Sequence, residues 1–128
     1  MIILHVDDDS DDREVLKEAL KEINPEIDCI QAKNGIEGFD ILTKGILYKK
    51  INCVFLDINM PLMDGIALLA LIKGDKRLSR IPVHVYSTTS DEREIAYVKK
   101  LGGNFIHKTT QYNKLVKSLK GILQNVDC

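Results

Sequence analysis

Two patterns of apolar and polar positions alternate along this chain and follow one another five times. Short apolar runs predict strands, and apolar residues at every third or fourth position predict helices. The predicted strands are residues 2–6, 27–32, 53–56, 83–86 and 104–107, each followed by a helical pattern. Such alternation with short connections predicts an α/β fold, a doubly wound five-stranded parallel sheet covered by helices on both faces.

Turn and capping residues mark the helix ends. Asp64 is predicted to cap a helix that begins near Gly65, and Ser90 to cap the fourth helix. Asn34 and Gly35 are predicted to start the second helix, with Gly45 near its end. The third helix is apolar on nearly every side, which predicts that it is well buried.

The composition is that of an ordinary soluble domain. The 128 residues are 45% hydrophobic and 29% charged, and the net charge is -1. We therefore expect a single domain over residues 1–128 with no effector domain, and no basic field that would bind nucleic acid. The first residues form neither a signal sequence nor a membrane span, and the three cysteines have no metal-like spacing, so a cytoplasmic location is expected.

Polar residues stand where four of the predicted strands end. They are Asp7 and Asp8 after the first strand, Asp57 after the third, Ser87 and Thr88 after the fourth, and Lys108 after the fifth. Because the strands are predicted to be parallel, these groups should meet at one edge of the sheet, where open α/β sheets bind ligands. Carboxylates held so close repel one another, and Mg²⁺ with its preference for oxygen ligands would offset that repulsion.

The lysine and the hydroxyl group point to an anion beside the metal. Aspartate is a known nucleophile in covalent phosphoryl chemistry, so the set predicts phosphoryl transfer to Asp57. Each residue alone has a simpler interpretation: Asp57 and Ser87 as turn residues, and Lys108 as a surface charge. Their joint placement at the strand ends favours the phosphoryl-transfer site.

The chain resembles the receiver domain of two-component response regulators, of the stand-alone single-domain type, over essentially its whole length. The resemblance rests on the segments Val6-Asp7-Asp8, 56–65 with its Met-Pro and Asp-Gly pairs, and Tyr86-Ser87, together with Lys108. It implies a flavodoxin-like strand order 2-1-3-4-5. It also implies a signalling protein that catalyses only its own phosphorylation and dephosphorylation, and that switches a face which binds a downstream protein.

The same resemblance implies a role for each site residue. Asp57 would accept a phosphoryl group from a sensor histidine kinase or a phosphotransfer protein. Asp8 and Asp57 would bind Mg²⁺ directly, the backbone carbonyl of Asn59 would join them, and Asp7 would act through water. Ser87 would be the switch hydroxyl, Phe105 the switch aromatic residue and Lys108 the phosphate-contacting lysine. The first helix, with Arg13, Val15, Leu16 and Ala19, would dock the kinase.

Four positions depart from the family pattern or tune it. Lys108 is followed by Thr109 where the family usually has a proline in a cis peptide, so we expect a trans bond and an altered loop. Phe105 lacks the hydroxyl group of the commoner tyrosine. Asn59 and Thr89 occupy positions that tune dephosphorylation in the family.

Two other functions are compatible with parts of the sequence. One is a docking module of the same fold that works without phosphorylation, although the complete acidic set and Lys108 argue against it. The other is a small haloacid-dehalogenase-like phosphatase with its nucleophile at Asp7. In that class a small hydroxyl or β-branched residue is usual where Asp11 stands, and the Met-Pro and Asp-Gly pairs would have no explanation.

Overall fold

A computed structural model of the chain describes residues 1–44 and 50–124. Within them the strands and helices alternate as the sequence predicts. The strands are β1 (Ile2–Val6), β2 (Asp28–Ala32), β3 (Ile51–Leu56), β4 (Val83–Ser87) and β5 (Asn104–His107). The helices are α1 (Ser10–Ile23), α2 (Gly35–Lys44), α3 (Gly65–Gly74), α4 (Glu92–Lys100) and α5 (Tyr112–Leu123). Gly45, predicted near the end of the second helix, lies outside the described residues.

All five strands are parallel and are ordered β2-β1-β3-β4-β5, which confirms the predicted fold class and strand order. The register aligns the strand ends. Val6 pairs with both Ala32 and Leu56 at the ends of the neighbouring strands, and Ser87 pairs with His107. The residues that follow these positions therefore emerge together at the carboxyl edge of the sheet.

The core lies in two layers, one on each face of the sheet. On one face, buried side chains of β1, β3 and β4, such as Val54 and Val85, pack with those of α2, α3 and α4. On the other face, Phe55 and Tyr86 pack with α1 and α5. The third helix is less buried than its apolar sequence predicts, because Leu71 is 41% exposed.

Two of the predicted caps can be compared with the structure. Asp64 caps α3 as predicted, since its carboxylate accepts the Ala67 N–H at 2.8 Å. The prediction for α4 is wrong by one residue: Asp91, not Ser90, is the N-cap and accepts the Arg93 N–H. The hydroxyl of Thr89 accepts the Asp91 N–H at 3.2 Å, and this turn delays the start of the helix.

The connection from β3 to α3 has two unusual backbone positions. A side chain at Gly65 would collide with the carbonyl oxygen of Asp57, so only glycine lets the start of α3 approach the end of β3 so closely. Leu62 has a φ of 70° and is 81% exposed. This tight connection holds the segment after Asp57 against the end of the sheet.

In the described part of the chain, every helix is too short or too polar to cross a membrane.

Candidate functional site

Asp57 is held rigidly at the end of β3. Its N–H donates to the carbonyl oxygen of Val6 at 3.0 Å, and its Oδ1 accepts the N–H of Ile58 at 2.8 Å. The N–H of Gly65 donates to the Ile58 carbonyl oxygen at 2.9 Å, which ties the next turn to the strand end. The residue is 7% exposed, so a group that reaches it must come from the carboxyl edge of the sheet.

Asp7 and Asp8 follow β1, the neighbouring strand. Asp7 is fully buried, and its Oδ1 accepts the N–H of Asp9 at 3.0 Å, whereas Asp8 is exposed. One carboxylate oxygen of each of Asp7, Asp8 and Asp57 lies within 4.8 Å of the other two. The structure thus brings together the three predicted carboxylates.

Lys108 reaches into this group from the end of β5. Its Nζ lies 2.9 Å from Asp7 Oδ2 and 3.2 Å from Asp57 Oδ2. The N–H of Lys108 donates to the carbonyl oxygen of Ser87 at 2.9 Å, which joins the ends of β4 and β5. Every peptide bond in the described residues is trans, as predicted for the bond between Lys108 and Thr109.

Burial and charge shift the pKa values of these groups in different directions. Burial raises the pKa of Asp57, and the charge of Asp7 adds to that rise, while Lys108 only partly opposes it. Burial also acts to raise the pKa of Asp7, but the nearby His5 ring, the hydrogen bond from the Asp9 N–H and the charge of Lys108 together hold it below its usual value. The pKa of Lys108 is raised because Asp12 and Asp7 outweigh the effect of burial. The site therefore favours a second cation, which would stabilise the ionised form of Asp57.

Ser87 and Phe105, predicted as the switch residues, lie next to this site. Ser87 is fully buried at the end of β4, and its Oγ accepts the N–H of Thr89 at 3.2 Å. Thr89 in turn donates its hydroxyl to Glu94 of α4 at 2.8 Å. Phe105 is half-buried, and its ring meets the His107 ring edge-on, with centroids 4.8 Å apart. The roles of these two residues stay predictions.

Asn59 is exposed two residues beyond Asp57. Its position after the strand end is compatible with a carbonyl ligand, and that role also stays a prediction.

Sequence reasoning missed three residues at this site. Asp12 Oδ2 lies 2.7 Å from Lys108 Nζ, the shortest of the three carboxylate contacts of that lysine. His5 is fully buried with its Nε2 3.5 Å from Asp7 Oδ2, and Arg13 Nη1 donates to the carbonyl oxygen of Asp7 at 2.7 Å. A histidine inside an apolar strand was a visible signal for His5. The acidic run near the N-terminus did not indicate which of its members faces the site.

The predicted docking surface on the first helix needs a correction. Leu16 and Ala19 are fully buried against the sheet, because they lie on the core-facing side of α1. Val15, at 39% exposed, is the apolar residue of the predicted set that a partner could reach.

The three carboxylates fit a divalent cation with hard oxygen ligands. Mg²⁺ binds oxygen ligands at about 2.1 Å and usually keeps several waters, so it needs one or two carboxylates that can converge. The separation of at most 4.8 Å between the carboxylate oxygens meets this requirement with small side-chain movements. Asp7, Asp8 and Asp57 are the residues that would hold the ion.

Comparisons with known proteins agree with this architecture. The family model of the response regulator receiver domain matches residues 3–120. The chemotaxis protein CheY1 of Helicobacter pylori is 30% identical over 128 residues, which cover 99% of this chain and 100% of that protein. The Mn²⁺-bound form of response regulator Rcp1, a protein of Synechocystis, has a TM-score of 0.83 at 30% identity and covers 97% of this chain and 92% of its own.

A second solved structure is also similar. The phosphorylated cyanobacterial phytochrome response regulator RcpA has a TM-score of 0.85 at 31% identity, and the match covers 96% of this chain and 91% of that one. These matches support the resemblance to receiver domains. They give no support to the haloacid-dehalogenase-like alternative.

Proposed function

Because the chain belongs to the response regulator receiver domain family, we propose that it accepts a phosphoryl group on Asp57 from a phosphohistidine of a sensor histidine kinase or a phosphotransfer protein. The observation that carries the proposal is that carboxylate oxygens of Asp57 and Asp7 both lie within 3.2 Å of Lys108 Nζ. A carboxylate nucleophile beside a buried ammonium is suited to an anionic phosphoryl group.

In the transfer step, an oxygen of Asp57 bonds to phosphorus while the bond from phosphorus to the donor nitrogen breaks. The freed imidazole of the donor keeps the electron pair and takes up a proton. Lys108 donates to a phosphoryl oxygen and offsets part of its charge. Asp7, Asp8 and Asp57, with the carbonyl of Asn59, would hold Mg²⁺, which would supply further charge neutralisation.

The acyl phosphate would then act on the fold through charge. Phosphorylation adds roughly two negative charges at Asp57. The Oγ of Ser87 accepts the Thr89 N–H, which leaves its own proton free to donate to a phosphoryl oxygen. As Ser87 moves toward that oxygen, the loop after β4 shifts and Phe105 rotates inward, which changes the surface of α4, β5 and α5 that binds a downstream protein.

Three relatives support parts of this proposal. The similarity to a Mn²⁺-bound structure and to a phosphorylated one is consistent with a metal and a phosphoryl group at the corresponding site. The match to the whole length of CheY1, a chemotaxis protein, supports a signalling role for this receiver domain. We further propose a cytoplasmic signalling protein that modifies only itself.

The test is the intact mass of the protein after incubation with Mg²⁺ and acetyl phosphate. Wild type should gain one phosphoryl group and Asp57→Asn none. Asp64→Asn, which changes an exposed carboxylate in the same loop and keeps a capping side chain, is the matched control and should react like wild type. A wild-type protein that gains no mass would favour the docking-module alternative, and catalytic turnover lost in Asp7→Asn but kept in Asp57→Asn would favour a phosphatase.

A further inference from the structure

Lys108 has more partners than the transfer reaction requires. The ammonium donates hydrogen bonds to Asp12 Oδ2 at 2.7 Å and to Asp57 Oδ2 at 3.2 Å. Asp7 Oδ2 lies 2.9 Å from it as an ion-pair partner. The Lys108 side chain is 10% exposed, so water has little access to it. A phosphoryl oxygen that approaches this ammonium therefore competes with these carboxylates for it.

The three carboxylates differ in how firmly they are held. Asp7 Oδ1 and Asp57 Oδ1 each accept a backbone N–H, and both side chains are buried at the strand ends. The Asp12 side chain is 35% exposed, and in the described residues Lys108 is its one hydrogen-bond or ion-pair partner. Water can solvate Asp12 when it separates from the lysine, so this contact costs least to break.

We propose that Asp12 is a positioning residue that holds Lys108 in a resting position and competes with the phosphoryl group for its ammonium. This inference rests on the proposed function of Asp57. Asp12 lies in the first turn of α1, so the contact also links that helix to the loop after β5 when the site carries no phosphoryl group. Removal of Asp12 leaves the lysine free to turn to a phosphoryl oxygen.

The proposal predicts tighter binding of a phosphoryl mimic when the competitor is removed. In saturating Mg²⁺, Asp12→Asn should bind beryllofluoride about two- to fivefold more tightly than wild type, because the variant loses a partly exposed ion pair. It should also react faster with acetyl phosphate. Asp11→Asn is the matched control, since it removes the same charge from the neighbouring, exposed position of α1.

The control separates competition for the lysine from a general effect of charge. A loss of negative charge alone would favour anion binding in both variants to a similar degree. In a Lys108→Gln background, Asp12→Asn should change the affinity for beryllofluoride no more than Asp11→Asn does. The reason is that this background lacks the ammonium for which Asp12 and the phosphoryl group compete.

A second measurement needs no metal. In the Mg²⁺-free protein, NMR should show the ammonium protons of Lys108 protected from exchange with water in wild type and in Asp11→Asn. In Asp12→Asn they should exchange faster. This readout reports the ion pair itself and does not depend on phosphorylation.

The outcomes distinguish this inference from the function on which it rests. If wild type binds no beryllofluoride, the proposed function fails and this inference fails with it. If wild type binds but Asp12→Asn and Asp11→Asn have equal affinities, or equal ammonium exchange, the proposed role of Asp12 alone is overturned.

Discussion

Lys108 Nζ lies 3.2 Å from Asp57 Oδ2, although 51 positions separate the two residues in the sequence. The contact exists because β3 and β5 end at the same edge of the sheet, on either side of β4. The ammonium lies among the carboxylates that would hold Mg²⁺. A divalent cation that binds there must therefore act against the charge of Lys108.

Removal of that charge should strengthen Mg²⁺ binding. We expect Lys108→Gln to bind Mg²⁺ several-fold more tightly than wild type in the same buffer, because the ammonium no longer repels the metal ion. Isothermal titration calorimetry measures the difference. Lys117→Gln, at an exposed position of α5, removes the same charge far from the carboxylates and should bind like wild type. Equal affinities in all three proteins would show that the lysine does not oppose the metal.

Gly65 should tolerate no side chain. Gly65→Ala places a methyl group against the carbonyl oxygen of Asp57, so we expect a loss of about 2 kcal/mol or more in the free energy of unfolding. Urea titration measures it. Gly121→Ala is the opposite case, because its added methyl group meets nothing within 4 Å on α5, and it should be neutral or stabilise by up to about 1 kcal/mol. A Gly65→Ala protein as stable as wild type would contradict the close approach of α3 to β3.

Buried His84 should make the protein less stable in mild acid. Burial lowers its pKa from 6.5 to about 4, with a smaller effect from Lys73. Between these two pH values the unfolded chain binds a proton that the folded protein does not, so stability rises with pH and is lost as the pH falls from 6.5 to 4. We expect a contribution of about 2 to 3 kcal/mol from this residue.

The measurement is the difference between the pH profiles of wild type and His84→Gln. Glutamine keeps a polar group that can accept from Asn104 Nδ2, which lies 3.3 Å from His84 Nδ1. The variant should lose less stability over the acid range than wild type. Parallel profiles for wild type and His84→Gln would refute the assignment.

Leu62 should be replaceable with a gain in stability. Its φ of 70° is unfavourable for leucine and is adopted more readily by asparagine, and its side chain is 81% exposed. We expect Leu62→Asn to stabilise the protein by about 1 kcal/mol in thermal or urea unfolding. Leu71→Asn, at a partly exposed position within α3, should destabilise it instead. A destabilised Leu62→Asn would indicate that the leucine makes contacts that outweigh the backbone strain.

The arrangement of the fold could be predicted from residue patterns because each element follows from local chemistry. Apolar runs such as residues 53–56 are compatible with burial on both faces of a sheet, and Asp64 caps α3 as its position before Gly65 predicts. The exact element boundaries also depend on the geometry of the turns. Asp91 replaces Ser90 as the cap of α4 because a hydrogen bond to Thr89 shapes the preceding turn.

The sequence likewise predicts some residues of the candidate site, and only the tertiary structure reveals the others. The strand-end positions of Asp7, Asp57 and Lys108 follow from the order of elements along the chain, since parallel strands bring their carboxyl ends together. Which further side chains reach the site depends on how α1 sits against the sheet. The side chains of Asp12 and His5 reach the site because of the rotation of α1 about its axis and the pleat of β1. A run of similar residues in the sequence does not reveal either orientation. The sequence alone was sufficient for the fold and the chemistry at the strand ends, and only the packing of distant elements decided which carboxylates share Lys108.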